Sequence, residues 1–230
     1  MQCCCTKEEN AQNFSGIPAE KFDAWIFTGG DWAVEKCRQY CAALPAPEMI
    51  LAADSGYEKA LALSLPVHKL VGDFDSMALP AQLPFGTEVH VSPCEKNETD
   101  TMLACSLAIE SGAHSLLILG GTGGRVDHAL SNIFYLEWLE SQGIDALLTD
   151  GENRIRVCCS KTVTLPDRGG YFSVMSLSES SRVTLTGCKY PLTDATLYRR
   201  EPYAVSNEVL AENTAQITVQ GTVVVVESVK

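Results

Sequence analysis

Aspartates and glycines recur together in four short segments of this chain: Thr28-Gly29-Gly30-Asp31, Asp54-Ser55-Gly56, Gly72-Asp73-Phe74-Asp75-Ser76 and Gly120-Gly121-Thr122-Gly123-Gly124-Arg125. Asp73 and Asp75 stand one residue apart, a spacing that projects both side chains to the same side of an extended segment. Two neighbouring carboxylates repel unless a cation or a proton lies between them. Their hard oxygens suit Mg²⁺, which takes one or two protein carboxylates together with substrate phosphates and water. An isolated Asp-x-Asp more often caps a helix or closes a turn. Asp54 and Asp100, each beside the start of an expected helix, turn the balance toward a metal.

The run Gly120–Arg125 suits phosphate. Glycines let a backbone approach an anion closely, and the helix expected after them offers unpaired N–H groups at its positive end. Arg125 adds a planar cation matched to phosphate oxygens. The loop lacks the Gly-Lys-Ser/Thr of a Walker sequence and is a poor dinucleotide fingerprint, so a phosphate cradle is the better reading. Asp127, in the next turn, has three open roles: capping the helix, coordinating the ion or orienting Arg125. His128 supports the same site. In Lys96-Asn97-Glu98-Thr99-Asp100, Thr99 suits an N-cap and Lys96 could meet a phosphate. Neither the pair Cys37 and Cys41 nor the runs Cys3–Cys5 and Cys158-Cys159 have zinc-site spacing, so they are read as plain thiols.

These segments need elements that bring them to one place. Short apolar runs at residues 24–27, 49–53, 69–71, 88–91, 116–119 and 146–148 alternate with helical patterns at 32–44, 57–65, 100–111 and 126–141. Such alternation predicts a mainly parallel sheet covered by helices, with every strand's carboxyl end at the same edge. The acid- and glycine-bearing loops all follow strands, so that edge is the expected site. After residue 150 the helical patterns stop. Short β-branched runs at 154–159, 162–165, 171–177, 182–185, 215–219 and 222–226 predict an all-β sandwich or barrel. The expected organisation is an α/β domain over residues 1–150 and a β domain over 151–230.

Composition excludes some partners. With 17 basic and 29 acidic residues among 230, the net charge is −12. Such a chain cannot neutralise a nucleic-acid backbone and is repelled by an anionic membrane surface. No apolar run is long enough to span a bilayer, and the first residues do not read as a secretory signal. Ten scattered cysteines then read as reduced thiols, and the cytoplasm is the expected compartment.

The motifs Asp54-Ser55-Gly56, Gly72-Asp73-Phe74-Asp75-Ser76, Lys96-x-x-Thr99-Asp100 and Gly120-Gly121-x-Gly123-Gly124-Arg125-x-Asp127-His128 stand in an order that resembles the thiamine pyrophosphokinase family. Gly187-Cys188-Lys189-Tyr190-Pro191-Leu192, Ala195-Thr196-Leu197 and Ser206-Asn207-Glu208 look like its bacterial branch. The resemblance implies a homodimer that moves a pyrophosphoryl group from ATP to the thiamine hydroxyl, giving thiamine diphosphate and AMP. It implies Asp73, Asp75 and Asp100 as metal-binding and catalytic residues, with Arg125 beside them. Gly30, Asp31, Asp54, Ser55, Lys96, Thr99, Gly121, Gly123, Gly124, Arg125, Asp127 and His128 would face ATP. Tyr190, Ser206 and Asn207 lie in the stretch associated with thiamine. The chain departs from the family at Asn97, often Asp, and Cys188, commonly Leu. The competing readings are a pyrophosphokinase for another small alcohol such as a pterin, and a non-catalytic nucleotide-binding module. The second should lack the acids, and they are present.

Overall fold

The structure is a computed structural model that describes residues 20–74, 83–93, 97–211 and 214–229. Six parallel strands form its first half: β1 (Ala24–Phe27), β2 (Met49–Ala53), β3 (Lys69–Gly72), β4 (Glu88–Val91), β5 (Ser115–Leu119) and β6 (Asp145–Thr149). Their order is β4-β3-β2-β1-β5-β6. The central strands read as continuous apolar runs because both faces are covered. Trp25, Phe27, Ile50, Leu117 and Leu119 face α1 (Val34–Ala42) and α2 (Gly56–Ala62). The alternate residues Ala24, Ile26, Leu51, Leu116 and Ile118 face α3 (Asp100–Glu110) and α4 (Val126–Ser141). α3 comes close to the sheet through the small residues Ala104, Cys105 and Ala108, all buried.

α4 spans its expected residues, α3 ends one residue early, and α1 and α2 are shorter than their sequence patterns. α2 ends at Ala62 because Ser64 turns left-handed, with φ 58°, and the apolar Leu65 beyond it packs without continuing the helix.

At residues 150–152 the chain reverses. The Asp150 carboxylate accepts the backbone N–H groups of Glu152 and Asn153 at 2.8 and 2.6 Å, and Gly151 takes a positive φ of 91°. β7 (Asn153–Cys159) therefore runs antiparallel beside β6, pairing Leu148 with Ile155. β13 (Thr222–Ser228) and β9 (Tyr171–Ser176) extend it, so one nine-stranded sheet passes through both halves of the chain. A second sheet, ordered β11-β10-β12-β8, is made of β8 (Thr162–Pro166), β10 (Ser180–Thr186), β11 (Leu192–Tyr198) and β12 (Thr214–Gln220). Phe172, Val174, Val223 and Val225 meet Val183, Leu185, Ile217 and Val219 between the two sheets. On the opposite face of the long sheet, Ile155, Val157 and Val224 join the core that includes Leu136 and Leu139 of α4. The two halves thus share strand pairing and a core.

The expected fold class is the one observed, an α/β half with a parallel sheet and an antiparallel all-β half. β11 was not among the expected strands. It is an edge strand in which only Leu197 is buried, and Asp194 breaks it with a positive φ of 50°, so it lacks the apolar alternation that marks a strand in sequence.

Candidate active site

The strand order reverses direction between β1 and β5, which makes a crevice at their carboxyl ends. Phe27 pairs with Leu119, so the loops that follow leave the sheet side by side. The Thr28 N–H donates to Leu119 O at 2.9 Å. These loops touch backbone to backbone: a Cβ on Gly30 would lie 2.1 Å from Gly120 O, and one on Gly123 would lie 2.5 Å from Asp31 Cβ. Glycine is required at both positions for the loops to meet. Between them lies a cleft of about 450 Å³. Of the residues expected to face ATP, Gly30, Asp31, Asp54, Ser55, Thr99, Gly121, Gly123, Gly124, Arg125 and His128 line it. Lys96 lies outside the described residues.

Three carboxylates gather at one end. Asp54 directly follows β2, Asp73 follows β3 and Asp100 opens α3. Ala53 pairs with Val71, which sets the first two at neighbouring levels. One oxygen from each of Asp54, Asp73 and Asp100 lies within 4.8 Å of the others. Burial pushes the Asp54 carboxyl up to about 7, with further contributions from the negative charges of Asp100 and Asp73. Asp54 Oδ1 is buried and has no hydrogen-bond donor among the described residues. Carboxylates that repel one another, one of them with a buried oxygen lacking a donor, fit a hard divalent cation. Ser92 Oγ donates to Asp100 Oδ1 at 3.2 Å and fixes that side chain. Asp75 lies outside the described residues. The extended conformation expected after Asp73 does not hold at Phe74, which is left-handed, with φ 58°. Among the described residues the cluster comprises Asp54, Asp73 and Asp100, and the Asp54 backbone has φ 47°.

Thr99 is the N-cap of α3, its hydroxyl accepting the Met102 N–H at 3.2 Å. Asp127 pairs with Arg125, the arrangement expected of its orienting role. Arg125 Nη2 and Nε bond its two carboxylate oxygens at 2.6 and 3.2 Å, both side chains being exposed. Asp127 does not itself line the cleft.

The segment associated with thiamine lies on the β half, and Tyr190, Ser206 and Asn207 do not line the cleft. Asn207 is buried and its amide is fully engaged: Oδ1 accepts the N–H groups of Tyr190 and Glu208 at 3.0 and 2.9 Å, and Nδ2 donates to Tyr190 O at 2.9 Å. It holds the turn that presents Tyr190, whose ring is exposed. Ser206 is exposed and left-handed, with φ 55°.

Sequence reasoning missed Asn132 and Thr101, which line the cleft, and Lys59, which lies beneath it. Asn132 is a buried polar residue within α4 whose Nδ2 donates to Gly121 O at 2.8 Å. Its one sequence signal is an amide on the inward face of a helix, which is faint.

A cleft lined by glycine-bearing loops on one side and clustered carboxylates on the other is suited to an anionic phosphate ligand, and the α/β fold around it is of a class that hosts phosphate-group transfer. The family profile described as thiamin pyrophosphokinase, catalytic domain, matches residues 42–148, and the one described as thiamin pyrophosphokinase, vitamin B1 binding domain, matches residues 159–224. Thiamine pyrophosphokinase of Bacillus subtilis (strain 168) is 30% identical over 163 residues, which cover 68% of this chain and 76% of that protein. The crystal structure of the Bacillus subtilis enzyme superposes with a TM-score of 0.76 at 26% identity, covering 90% of this chain and 99% of that one. That of thiamin pyrophosphokinase from Geobacillus thermodenitrificans gives 0.75 at 28% identity, covering 90% and 97%. The Candida albicans structure, at 13% identity and a TM-score of 0.71 over 90% of each chain, is alike in fold. The chain belongs to the thiamine pyrophosphokinase family, and its activity is that of a thiamine diphosphokinase.

Proposed function

We propose that this chain binds ATP in the cleft between the β1 and β5 loops and transfers its pyrophosphoryl group to the hydroxyl of thiamine, releasing AMP. The observation that carries this reading is the meeting of Asp54, Asp73 and Asp100 at the end of a glycine-lined cleft. Phosphoryl transfer needs chiefly positioning and electrostatic stabilisation, because charge spreads over the phosphate oxygens as the bond breaks. In this reading the amides of Gly30, Gly121, Gly123 and Gly124 receive phosphate oxygens. Arg125, held by Asp127, presents its guanidinium at the rim, and Thr99 and Ser92 fix the start of α3 so that Asp100 faces the phosphates. Asp54, Asp73 and Asp100 would hold Mg²⁺, which when bound neutralises the charge of the polyphosphate. Asp75, assigned to the same role from sequence, keeps that assignment as part of the proposal.

Residues 1–150 then form the ATP-binding part and residues 151–230 the thiamine-binding part, a division supported by where the two family profiles fall. Tyr190 and Ser206 would contact thiamine, and Asn207 would act by holding the Tyr190 turn. That none of the three lines the ATP cleft supports a homodimer in which the thiamine-binding surface of one subunit serves the cleft of another. A stripe of exposed apolar side chains on α4, Val126, Leu130, Phe134 and Trp138, supports the same assembly. Cys37, Cys41, Cys105, Cys158, Cys159 and Cys188 are free thiols, which supports the cytoplasm as the compartment. The charge of −12 disfavours nucleic acid and anionic membrane as partners.

The test is incubation with thiamine, ATP and Mg²⁺, with both products quantified. Thiamine diphosphate and AMP in equal amounts are expected. ADP with thiamine monophosphate would overturn the pyrophosphoryl step, and turnover of a pterin alcohol in place of thiamine would overturn the acceptor.

A further inference from the structure

Lys59 is half-buried, and a lysine withdrawn from solvent usually has a partner for its charge. Lys59 stands on α2 beneath the two glycine-bearing loops and is not among the residues that line the cleft. Its ammonium donates to the backbone carbonyl of Gly30. It also packs against the second loop, since a Cβ on Gly120 would lie 2.7 Å from Nζ. The Trp32 ring, 5.5 Å from Nζ, backs the charge from a third side, and Trp32 is itself held edge-on by Phe27 at 6.2 Å.

The orientation of the Gly30 peptide matters for anion binding. A loop can receive phosphate through its N–H groups only if its carbonyl oxygens, which repel phosphate, are turned elsewhere. Both loops of the cleft carry such an anchor: Lys59 on Gly30 O and Asn132 on Gly121 O. The Lys59 anchor carries a full charge and touches both loops, so it is the stronger.

We propose that Lys59 is a positioning residue for ATP: from beneath the cleft its ammonium holds the Gly30 carbonyl away from the phosphates and fixes the β1 and β5 loops against each other. This inference rests on the ATP-binding reading of the cleft. Burial lowers Lys59 to about 8, with Asp31 in the β1 loop and Cys37 on α1 acting in the opposite direction. The group therefore still carries its proton at neutral pH.

The test compares the full-length wild-type protein with Lys59→Met and Lys59→Arg. Three quantities are measured: equilibrium binding of ATP with Mg²⁺ by calorimetry, KM for ATP and for thiamine, and hydrogen exchange of residues 28–31 and 120–124. Loss of one charged hydrogen bond predicts ATP affinity about ten- to a hundredfold weaker in K59M. Amide exchange should quicken in both loops, the KM for thiamine should hold, and K59R should recover most of the ATP affinity. Unchanged ATP binding and exchange in K59M would overturn the proposal, as would equal loss in K59M and K59R. Should K59M not fold, Lys59→Gln, which removes the charge and falls one atom short of the reach of Nζ, is measured in its place with the same outcomes expected. If the wild type binds ATP yet makes no thiamine diphosphate, the activity reading fails while the binding and exchange arms still decide the role of Lys59.

Discussion

The carboxylate of Asp54 fills the space that a side chain at residue 72 would need: a Cβ on Gly72 would lie 1.9 Å from Asp54 Oδ1. The glycine before Asp73 therefore serves the neighbouring strand's acid as well as its own loop. Gly72→Ala should push the Asp54 carboxylate out of the three-acid cluster while Val71 and Leu70 stay buried in their strand. The expected outcome is a Mg²⁺ concentration for half-maximal activity raised about tenfold or more, with far-ultraviolet circular dichroism unchanged. Wild-type Mg²⁺ dependence in G72A would mean that Asp54 is not part of the ion site.

Asp73 raises Asp54 by repulsion, so removing its charge relieves the repulsion within the cluster at the same time as it weakens the site. Asp73→Asn should lower kcat by about 10²–10³-fold, the scale of a lost electrostatic contact to a reacting group. Its melting temperature should equal or slightly exceed that of the wild type without added metal. Chelation of divalent cations should abolish wild-type turnover and added Mg²⁺ restore it. A D73N protein with full activity would remove Asp73 from the reaction.

Much of this site was legible because its signals are local. Asp54, Gly72, Asp73, Gly120 and Arg125 each follow an apolar run that reads as a strand, and a parallel sheet carries all such loops to one edge. The sequence already named Asp54, Asp73 and Asp100 for one edge; less accessible was the left-handed backbone at Phe74 and Asp54, because Phe seldom adopts a positive φ. Lys59 and Asn132 were invisible for another reason. Each lies on a helix that reads as ordinary, and its task exists only because that helix packs under a loop distant in sequence. The edge strand β11 escaped because an edge needs little apolar surface.

In the proposed reading, Asn207 acts on thiamine without reaching it. Its amide makes hydrogen bonds to both the N–H and the carbonyl of Tyr190. Asn207→Asp keeps the acceptor, loses the donor and buries a charge. It should raise the KM for thiamine about tenfold or more, with the KM for ATP nearly unchanged. Steady-state kinetics with each substrate varied in turn checks this, and a matching rise in both constants would point to general damage.

Glu20 ties the start of the described chain to both halves of the molecule. Its carboxylate accepts Arg154 Nη2 at 2.6 and 2.8 Å, Arg156 Nη2 at 2.8 Å and the Tyr40 hydroxyl at 3.0 Å. Burial by itself would raise its pKa. The charges of Arg154 and Arg156, the Tyr40 hydrogen bond and Arg168 more than offset this, and hold the group at about 2 against an ordinary 4.5. A folded-state value below the unfolded one stabilises the fold fully above pH 4.5 and progressively less as pH falls toward 2. Glu20→Gln, which leaves partly buried guanidiniums short of a counter-charge, should cost about 2 kcal/mol at pH 7. For a chain of this size that corresponds to a drop in melting temperature of roughly 4–8 °C. The gap between variant and wild type should narrow below pH 4.5, by up to about 1.4 kcal/mol per pH unit. Thermal melts from pH 7 to pH 3 measure it, and a gap of constant size across that range would show that the Glu20 charge does not carry the stabilisation.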